Sequence, residues 1–149
     1  MQPADPDFAA RVRASFARQP AMRTLGATLA LVEAGRVVVA MVHRDELTQQ
    51  HGYLHAGMLS AALDSACGYA AFSLMPADAA VLTIEFKINL LAPARGPRFR
   101  FEGMVTKRGR TISVVDGRAF EHDDDGASGK LIATMSATVM TVTGRDIQH

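Results

Sequence analysis

The sequence has 149 residues, which is the size of one domain with one hydrophobic core. Hydrophobic residues make up 48% and charged residues 21%, a composition typical of soluble globular proteins and not of disordered ones. The formal net charge of +1 argues against a strongly basic nucleic-acid-binding protein. The single cysteine cannot form an internal disulfide, and the N-terminal residues contain no apolar stretch of signal-peptide length, so a cytoplasmic location is predicted.

The charges are distributed unevenly along the chain. Between residues 47 and 84 the only charged side chains are Asp64 and Asp78, whereas residues 85–118 contain eight basic and three acidic side chains. One interpretation is a buried helix followed by solvated strands. The other is a buried acid beside a pocket for an anionic ligand.

The first half of the chain predicts a helix, a hairpin and a second, longer helix. Phe8, Val12 and Phe16 recur every four residues, which predicts a short amphipathic helix. Two β-like runs over 27–32 and 37–42 flank the turn sequence EAGR. Residues 56–75 form an apolar segment that ends before Pro76 and is long enough to span a membrane. Its buried acid, its many small residues and its lack of basic flanks favour a soluble core helix.

The second half of the chain predicts four strands. The run VLTIEFKINLL alternates apolar and polar residues, which predicts a half-buried strand. The next strands are expected around 98–103, 112–120 and 130–142, joined by the turn KRGRT and by a polar loop over 122–129. One long helix and six strands without crossover helices predict an α+β fold with an antiparallel sheet wrapped around one long central helix. The apolar residues expected on the buried face of the first of these strands are Leu82, Ile84, Phe86, Ile88 and Leu90.

Residues 49–68, QQHGYLHAGMLSAALDSACG, form the candidate site. A helix N-terminus offers unpaired N–H groups and the positive end of a dipole, so the amides near Ala56 and Gly57 could stabilise an oxygen that gains negative charge. Asp64 lies two turns inside this apolar helix, where burial raises the pKa of an unpaired carboxylate. The alternative is a helix acid that is hydrogen-bonded to a neighbouring strand.

This stretch resembles the active-site segment of hotdog-fold acyl-CoA thioesterases, in the branch of the PaaI-type and 4-hydroxybenzoyl-CoA thioesterases. In that family Asn or Gln precedes His-Gly-Gly at the start of the helix, and an acid follows nine residues after the His. Here Gln49 lies six residues before His55, and Asp64 lies nine after it. The likeness extends over roughly residues 24–142, through TIEFKINLLAPARG, KRGRTISVVDGRAF and GKLIATMSATVMTV. It implies one hotdog thioesterase domain over 1–149, with an N-terminal helix and tail over 1–20.

The resemblance also implies roles for individual residues. Asp64 would be the nucleophile or the general base that activates water, and the Ala56 N–H would polarise the thioester carbonyl. Gln49 and His55 would position the thioester or the water. Coenzyme A enters as part of the substrate, with no further cofactor and no metal. The residues that would bind the substrate and its coenzyme A are Gly57, Thr83, Leu91, Ala92, Pro93, Lys107, Arg108, Gly109, Arg110 and Thr111.

Two positions depart from the family pattern. Ala56 stands where the first glycine of the pair is usual, and alanine tolerates positive φ poorly, although it keeps its N–H. Gly68 lies four residues after Asp64, where some relatives have Ser or Thr. A mechanism that depends on a hydroxyl group at this position is therefore in doubt.

Helix geometry predicts that the site needs two chains. Ala56 and Asp64 are eight residues apart, which corresponds to about 12 Å along one helix. A donor and a base that act on one carbonyl carbon lie within about 3.5 Å of the reacting atoms. We therefore expect a homodimer with two equivalent interface sites, and pairing of dimers into a tetramer is left open. Neither nucleic acid nor a membrane is expected as a partner.

Several alternatives stay open at this point. A metal site at His51 and His55 is disfavoured because Gly52 interrupts the spacing and because HExxH and cysteine clusters are absent. Cys67 has no evident base and is more typical of a small buried cysteine. Other functions for the same fold are a hydratase or dehydratase acting on acyl thioesters, or a non-catalytic acyl-CoA-binding module. The acyl group could be aromatic, medium-chain or fatty.

Overall fold

The computed structural model describes residues 1–123, 129–144 and 147. Two helices precede a β-hairpin, one long helix follows, and four strands complete the chain. The predicted α+β class is confirmed. The elements are α1 (Phe8–Ala17), α2 (Pro20–Leu25), β1 (Thr28–Glu33), β2 (Arg36–Val42), α3 (Ala56–Phe72), β3 (Ala80–Leu90), β4 (Arg98–Lys107), β5 (Ile112–His122) and β6 (Lys130–Val142).

The six strands form one antiparallel sheet in the order β1-β2-β4-β5-β6-β3, which curls around α3. Phe99 and Phe101 of β4 are fully buried on the inner face. Gly103 allows the closest approach, because a Cβ there would lie 2.4 Å from the carbonyl oxygen of Ala66. The helix therefore packs directly on backbone at this point, as the predicted wrapping of the sheet around one helix requires.

The N-terminal segment packs more extensively than the sequence predicts. The amphipathic helix is confirmed as α1, with Val12 and Phe16 buried. The structure adds α2, which was not predicted, because six residues are too few for a periodic pattern. This helix begins at Pro20 and ends at Gly26, whose φ of 66° is the left-handed conformation that glycine favours. α3 ends at Phe72, three residues earlier than predicted.

β3 corrects the prediction of a half-buried strand with simple alternation. A bulge between Thr83 and Glu85 shifts the register against β6, so Leu82 pairs with Met140 while Thr83 pairs with the buried Val139. Because paired residues share a face, Thr83 points toward α3 and Leu82 points away from it. β3 is also an edge strand, and Ile84, Phe86 and Leu90 remain 54%, 42% and 53% exposed in the single chain. Period-two reasoning was therefore wrong both about the face of Leu82 and about burial.

Two further predictions concern the polar loop over 122–129 and the absence of a membrane-spanning helix. The polar loop expected over 122–129 lies mostly outside the described residues, which omit 124–128. Within the described part of the chain, no helix has the length and apolarity needed to cross a membrane.

Candidate active site

The start of α3 is built to present one backbone N–H. His55 is the N-cap, and its Nδ1 accepts a hydrogen bond from the Gly57 N–H at 2.9 Å. The N–H groups of Met58 and Leu59 donate to the His55 carbonyl. In the part of the chain that the structure describes, the Ala56 N–H has no acceptor. It is therefore the donor that the helix start leaves for a ligand.

The N-cap role of His55 also sets its tautomer. A neutral imidazole that accepts at Nδ1 carries its proton on Nε2, so the exposed side of the ring is a donor. Ala56 causes no backbone strain, because among the described residues only glycines have positive φ. Alanine at this position therefore fits the backbone conformation, and the expected difficulty with positive φ does not arise.

A cleft of about 400 Å³ is lined by Ala56 at the start of α3, and we call it the helix-start cleft. Gln49 lines it, and its Oε1 is engaged by the His51 N–H, which leaves the side-chain amide nitrogen as its donor group. Tyr53, which sequence reasoning missed, also lines this cleft and carries the Arg95 guanidinium over its ring at 5.0 Å. The full lining is Gln49, Tyr53, Leu54, Ala56, Leu59, Leu90, Leu91, Ala92, Pro93 and Ala94.

Asp64 lies in the middle of α3 with its carboxylate half-buried. The Thr83 hydroxyl donates to Asp64 Oδ1 at 2.8 Å across the gap between α3 and β3. Burial raises the pKa of Asp64 above its usual range, and the hydrogen bond from Thr83 opposes that increase. Both sequence interpretations of Asp64 therefore hold together: it is a partly desolvated acid, and it is hydrogen-bonded to a neighbouring strand.

A second, smaller space of about 170 Å³ adjoins this carboxylate, and we call it the Asp64 cavity. A Cβ added at Gly68 would meet nothing within 4 Å, so the departure from Ser or Thr leaves open space here. Sequence reasoning missed Gln19, which reaches this cavity from the N-terminal segment, because neither its type nor its spacing marks a site. The lining is Gln19, Asp64, Ser65, Gly68, Tyr69, Val81 and Thr83.

The KRGRT turn lies at the other end of α3. A third cleft, of about 400 Å³, is lined by Arg108, Gly109 and Arg110 of this turn. Ala71, near the C-terminal end of α3, and Met75, just after that end, also line it. Gly109 is required by the turn, because a Cβ there would overlap the Ile112 carbonyl oxygen at 1.9 Å. Lys107 and Thr111 are exposed beside this cleft and do not line it.

The chain thus holds the predicted site residues in three separate places along α3. Gln49, Ala56 and the 91–93 segment meet at the helix start, Asp64 and Thr83 at its middle, and Arg108 to Arg110 at its end. Each group forms a surface that opens outward, and no one of these cavities contains the Ala56 N–H, the Asp64 carboxylate and the basic turn together.

The structure also places the other candidate chemical groups. Cys67 is fully buried, and burial raises the pKa of its thiol far above the range of a nucleophilic cysteine. Among the residues described, no group of three or more His, Cys, Asp or Glu side chains could hold a metal ion. The basic residues of the second half are dispersed: Lys107, Arg108 and Arg110 lie in the KRGRT turn, Arg95 lies over the Tyr53 ring, and the others lie on strands.

Comparison with known proteins identifies the family. The model of the thioesterase superfamily matches residues 51–128, which run from the helix-start cleft to the loop after β5. The chain belongs to the thioesterase superfamily. A crystal structure of a thioesterase family protein from Silicibacter pomeroyi is 54% identical to this thioesterase, covers 92% of it and 99% of its own chain, and superimposes with a TM-score of 0.88.

Two further solved structures are similar to this thioesterase. The PaaI protein from the phenylacetic acid degradation operon of E. coli shares the fold at 19% identity, with a TM-score of 0.83 over 95% of this chain and 97% of its own. A thioesterase enzyme from Staphylococcus aureus is 25% identical over 80% of this chain and 96% of its own, with a TM-score of 0.74. It has been crystallised with alanine in place of a glutamine and, separately, in place of a glutamate fifteen residues further along.

Proposed function

We propose that this thioesterase hydrolyses an acyl-CoA to the free acid and coenzyme A at a site shared by two copies of the chain. The observation that carries the proposal is the separation of Ala56 and Asp64 on one continuous helix, each at its own cavity. At 1.5 Å per residue they are about 12 Å apart, too far to act on one carbonyl carbon. Ala56 of one copy and Asp64 of the other therefore form one site.

In this site the thioester carbonyl oxygen accepts a hydrogen bond from the Ala56 N–H, at the positive end of the α3 dipole. Asp64 of the second copy delivers the oxygen nucleophile, by taking a proton from water or by attacking the carbonyl carbon itself. A carbon–oxygen bond forms, the carbon–sulfur bond breaks, and the coenzyme A thiolate leaves and takes up a proton. Attack by water gives the free acid directly. Attack by Asp64 gives a mixed anhydride, which water then hydrolyses to the free acid and the Asp64 carboxylate. The raised pKa of Asp64 makes it a stronger base than an exposed aspartate.

The fifteen-residue spacing supports the pairing of Gln49 with Asp64. The glutamine and the glutamate that were replaced in the Staphylococcus aureus thioesterase are fifteen residues apart, as are Gln49 and Asp64 in this chain. We propose that the Gln49 side-chain amide and the Nε2–H of His55 orient the thioester in the helix-start cleft. Leu91, Ala92 and Pro93 form the wall of that cleft against which the pantetheine arm packs.

We further propose that the KRGRT turn binds the phosphates of coenzyme A. Arg108 and Arg110 line a cleft at the C-terminal end of α3, and guanidinium groups form strong charge-assisted hydrogen bonds with phosphate. In one chain this cleft and the helix-start cleft lie at opposite ends of α3. An acyl-CoA molecule that uses both therefore contacts two copies.

The edge strand β3 supplies the surface for that second copy. An exposed strand of eleven residues with Ile84, Phe86 and Leu90 on its surface is a template for pairing, which proteins normally cover. The twofold pairing of two β3 strands would bury these side chains and bring the middle of one α3 toward the start of the other. A cytoplasmic homodimer, with tetramers as an extension, is the assembly that we propose.

The proposed chemistry is tested by Asp64→Asn assayed on a panel of acyl-CoA substrates with detection of the released thiol. The amide keeps the shape and can still accept from Thr83, but it cannot act as a base or nucleophile, so kcat should fall about 10²–10⁴-fold. Asp116→Asn is the matched control, because Asp116 also accepts from a threonine hydroxyl, that of Thr106 at 2.7 Å, but lies exposed on the sheet. It should leave kcat unchanged.

The thermal melting curve separates lost chemistry from lost folding. Because burial disfavours the charged form of Asp64, Asp64→Asn should melt at the same temperature as the wild type or higher at neutral pH. An Asp64→Asn variant with wild-type kcat would remove Asp64 from the reaction. Conversion of an enoyl-CoA to a hydroxyacyl-CoA without thiol release would instead show a hydratase.

A further inference from the structure

The N-terminal segment is fixed to α3 beside the candidate nucleophile. The Tyr69 hydroxyl is hydrogen-bonded to Ser15 of α1 at 3.1 Å, and the Tyr69 ring packs against that of Phe16 with centroids 5.6 Å apart. Gln19 lies between α1 and α2, and its Oε1 accepts a hydrogen bond from the buried Ser65 hydroxyl at 3.3 Å. Ser65 directly follows Asp64, so Gln19 is held one residue from the carboxylate.

These contacts make Gln19 part of the Asp64 cavity, which it lines together with Thr83 and Gly68. The family model matches residues 51–128, so Gln19 lies outside the matched residues. The N-terminal segment thus contributes one wall of the cavity. A wall residue of this kind can change which acyl group fits without taking part in the reaction.

We propose that Gln19 is a specificity-determining residue, which closes the Asp64 cavity and limits this thioesterase to short acyl groups. The inference rests on the proposed function, because it places the acyl group beside Asp64. A cavity of about 150 Å³ holds a molecule of the size of benzene, with six heavy atoms. The Asp64 cavity of one chain, at about 170 Å³, therefore has room for roughly six carbon atoms, and in the proposed dimer the second copy covers its open side.

Gly68 and Gln19 both line the Asp64 cavity and affect its size in opposite ways. Gly68 contributes open space, because nothing lies within 4 Å of a Cβ built there. Gln19 occupies space, and its hydrogen bond from Ser65 holds the side chain in place. A shorter residue at position 19 should lengthen the cavity, and a larger residue at position 68 should shorten it.

The test compares kcat/KM for acetyl-CoA, hexanoyl-CoA and decanoyl-CoA in the wild type and in variants. Each methylene group that does not fit costs about tenfold or more in kcat/KM, so the wild type should prefer hexanoyl-CoA over decanoyl-CoA. Gln19→Ala should raise the decanoyl-to-hexanoyl ratio at least about tenfold. Gly68→Val should lower the hexanoyl-to-acetyl ratio of kcat/KM by a similar factor.

Thr24→Ala is the control for disturbance of the N-terminal segment, since Thr24 is exposed on α2 and does not line the cavity. It should keep the wild-type ratio. Hydrolysis of acyl-CoA with the same ratio in wild type and Gln19→Ala would overturn the inference and leave the proposed function standing. Absence of hydrolysis of any of the three substrates by the wild type would overturn the proposed function, and the inference with it. Because Gln19→Ala removes only a half-buried side chain, its result stands even if Gly68→Val fails to fold.

Discussion

At the scale of single residues, Asp64 combines a cost in folding stability with the catalytic role that we propose for it. A carboxylate in an apolar helix is costly to ionise, and burial raises its pKa in the folded chain. A folded pKa above the unfolded value means that Asp64 adds stability below the unfolded pKa, and that this contribution is lost as the pH rises through the folded pKa. Ionisation of Asp64 therefore lowers the stability of the folded chain.

Thr83 tunes this acid and gives a prediction on pH dependence. Its hydroxyl hydrogen bond favours the charged form of Asp64, so Thr83→Val should raise the Asp64 pKa further. The proposed mechanism requires the ionised carboxylate, so the acidic limb of the pH profile of kcat/KM should move to higher pH in Thr83→Val. Thr83→Ser keeps the hydroxyl and should keep the wild-type limb. An unchanged limb in Thr83→Val would show that Asp64 does not control the profile.

At the scale of elements, α1 acts as a clamp on the C-terminal end of α3. The Arg11 guanidinium donates to the carbonyl oxygens of Phe72 at 3.3 Å and Met75 at 2.8 Å, at the C-terminal end of α3. It also lies 4.1 Å from the centroid of the Phe72 ring and pairs with Asp5 at 2.7 Å. One side chain therefore ties the N-terminal segment to the helix that holds the candidate site.

Replacement of Arg11 should show how much this clamp contributes to stability. Arg11→Met keeps the apolar contact with the ring but removes hydrogen bonds from a charged donor, for a loss of about 2–4 kcal/mol. The melting temperature at pH 7 should fall by roughly 5–15 °C. Arg13→Met, an exposed residue on the same helix, is the control and should melt like the wild type. Equal melting temperatures for both variants would exclude the clamp.

The stability that the Arg11–Asp5 pair contributes should depend on pH, because Asp5 is titratable. Backbone and side-chain hydrogen bonds from Asp7 and Arg11 hold the Asp5 pKa below its usual range. A lowered folded pKa adds stability above the unfolded pKa, and that stability is lost as the pH falls through the folded value. The difference in melting temperature between the wild type and Arg11→Met should therefore shrink in acid.

At the scale of the whole molecule, the shared site can be tested by mixing two inactive chains. Ala56→Pro removes the proposed N–H donor at the first helical position, where proline is favoured. His55, with φ −61° and ψ 135°, already has the extended conformation that a residue before proline adopts. Ala56→Pro and Asp64→Asn should each be inactive alone. A mixed dimer contains one site with both groups intact, so co-refolded equal amounts should regain about a quarter of wild-type activity.

The mixing experiment also has an outcome that would contradict the two-chain site. If each chain carried a complete site, no combination of the two variants would recover activity. Sedimentation velocity on the same mixture shows whether dimers form, and Phe86→Asp on the exposed edge strand provides a chain that should stay monomeric and inactive. An active Phe86→Asp monomer would contradict the two-chain site.

Much of the fold could be predicted from the sequence, because it follows from local patterns. Four-residue spacing determined α1, the apolar run from Ala56 determined α3, and alternation with turn residues located all six strands. The acid inside the apolar helix, eight residues from the helix start, also predicted a site shared by two chains, which stays a prediction.

The tertiary structure decided what depends on contacts between distant segments. A bulge in β3 turned Thr83 toward Asp64, although simple alternation placed it on the opposite face. The packing of α1 on α3 brought Gln19, forty-five residues before Asp64 in the chain, into the cavity beside it. Such contacts leave no periodic signal, because they depend on the register of a strand and on how two helices pack, which residue spacing alone does not encode.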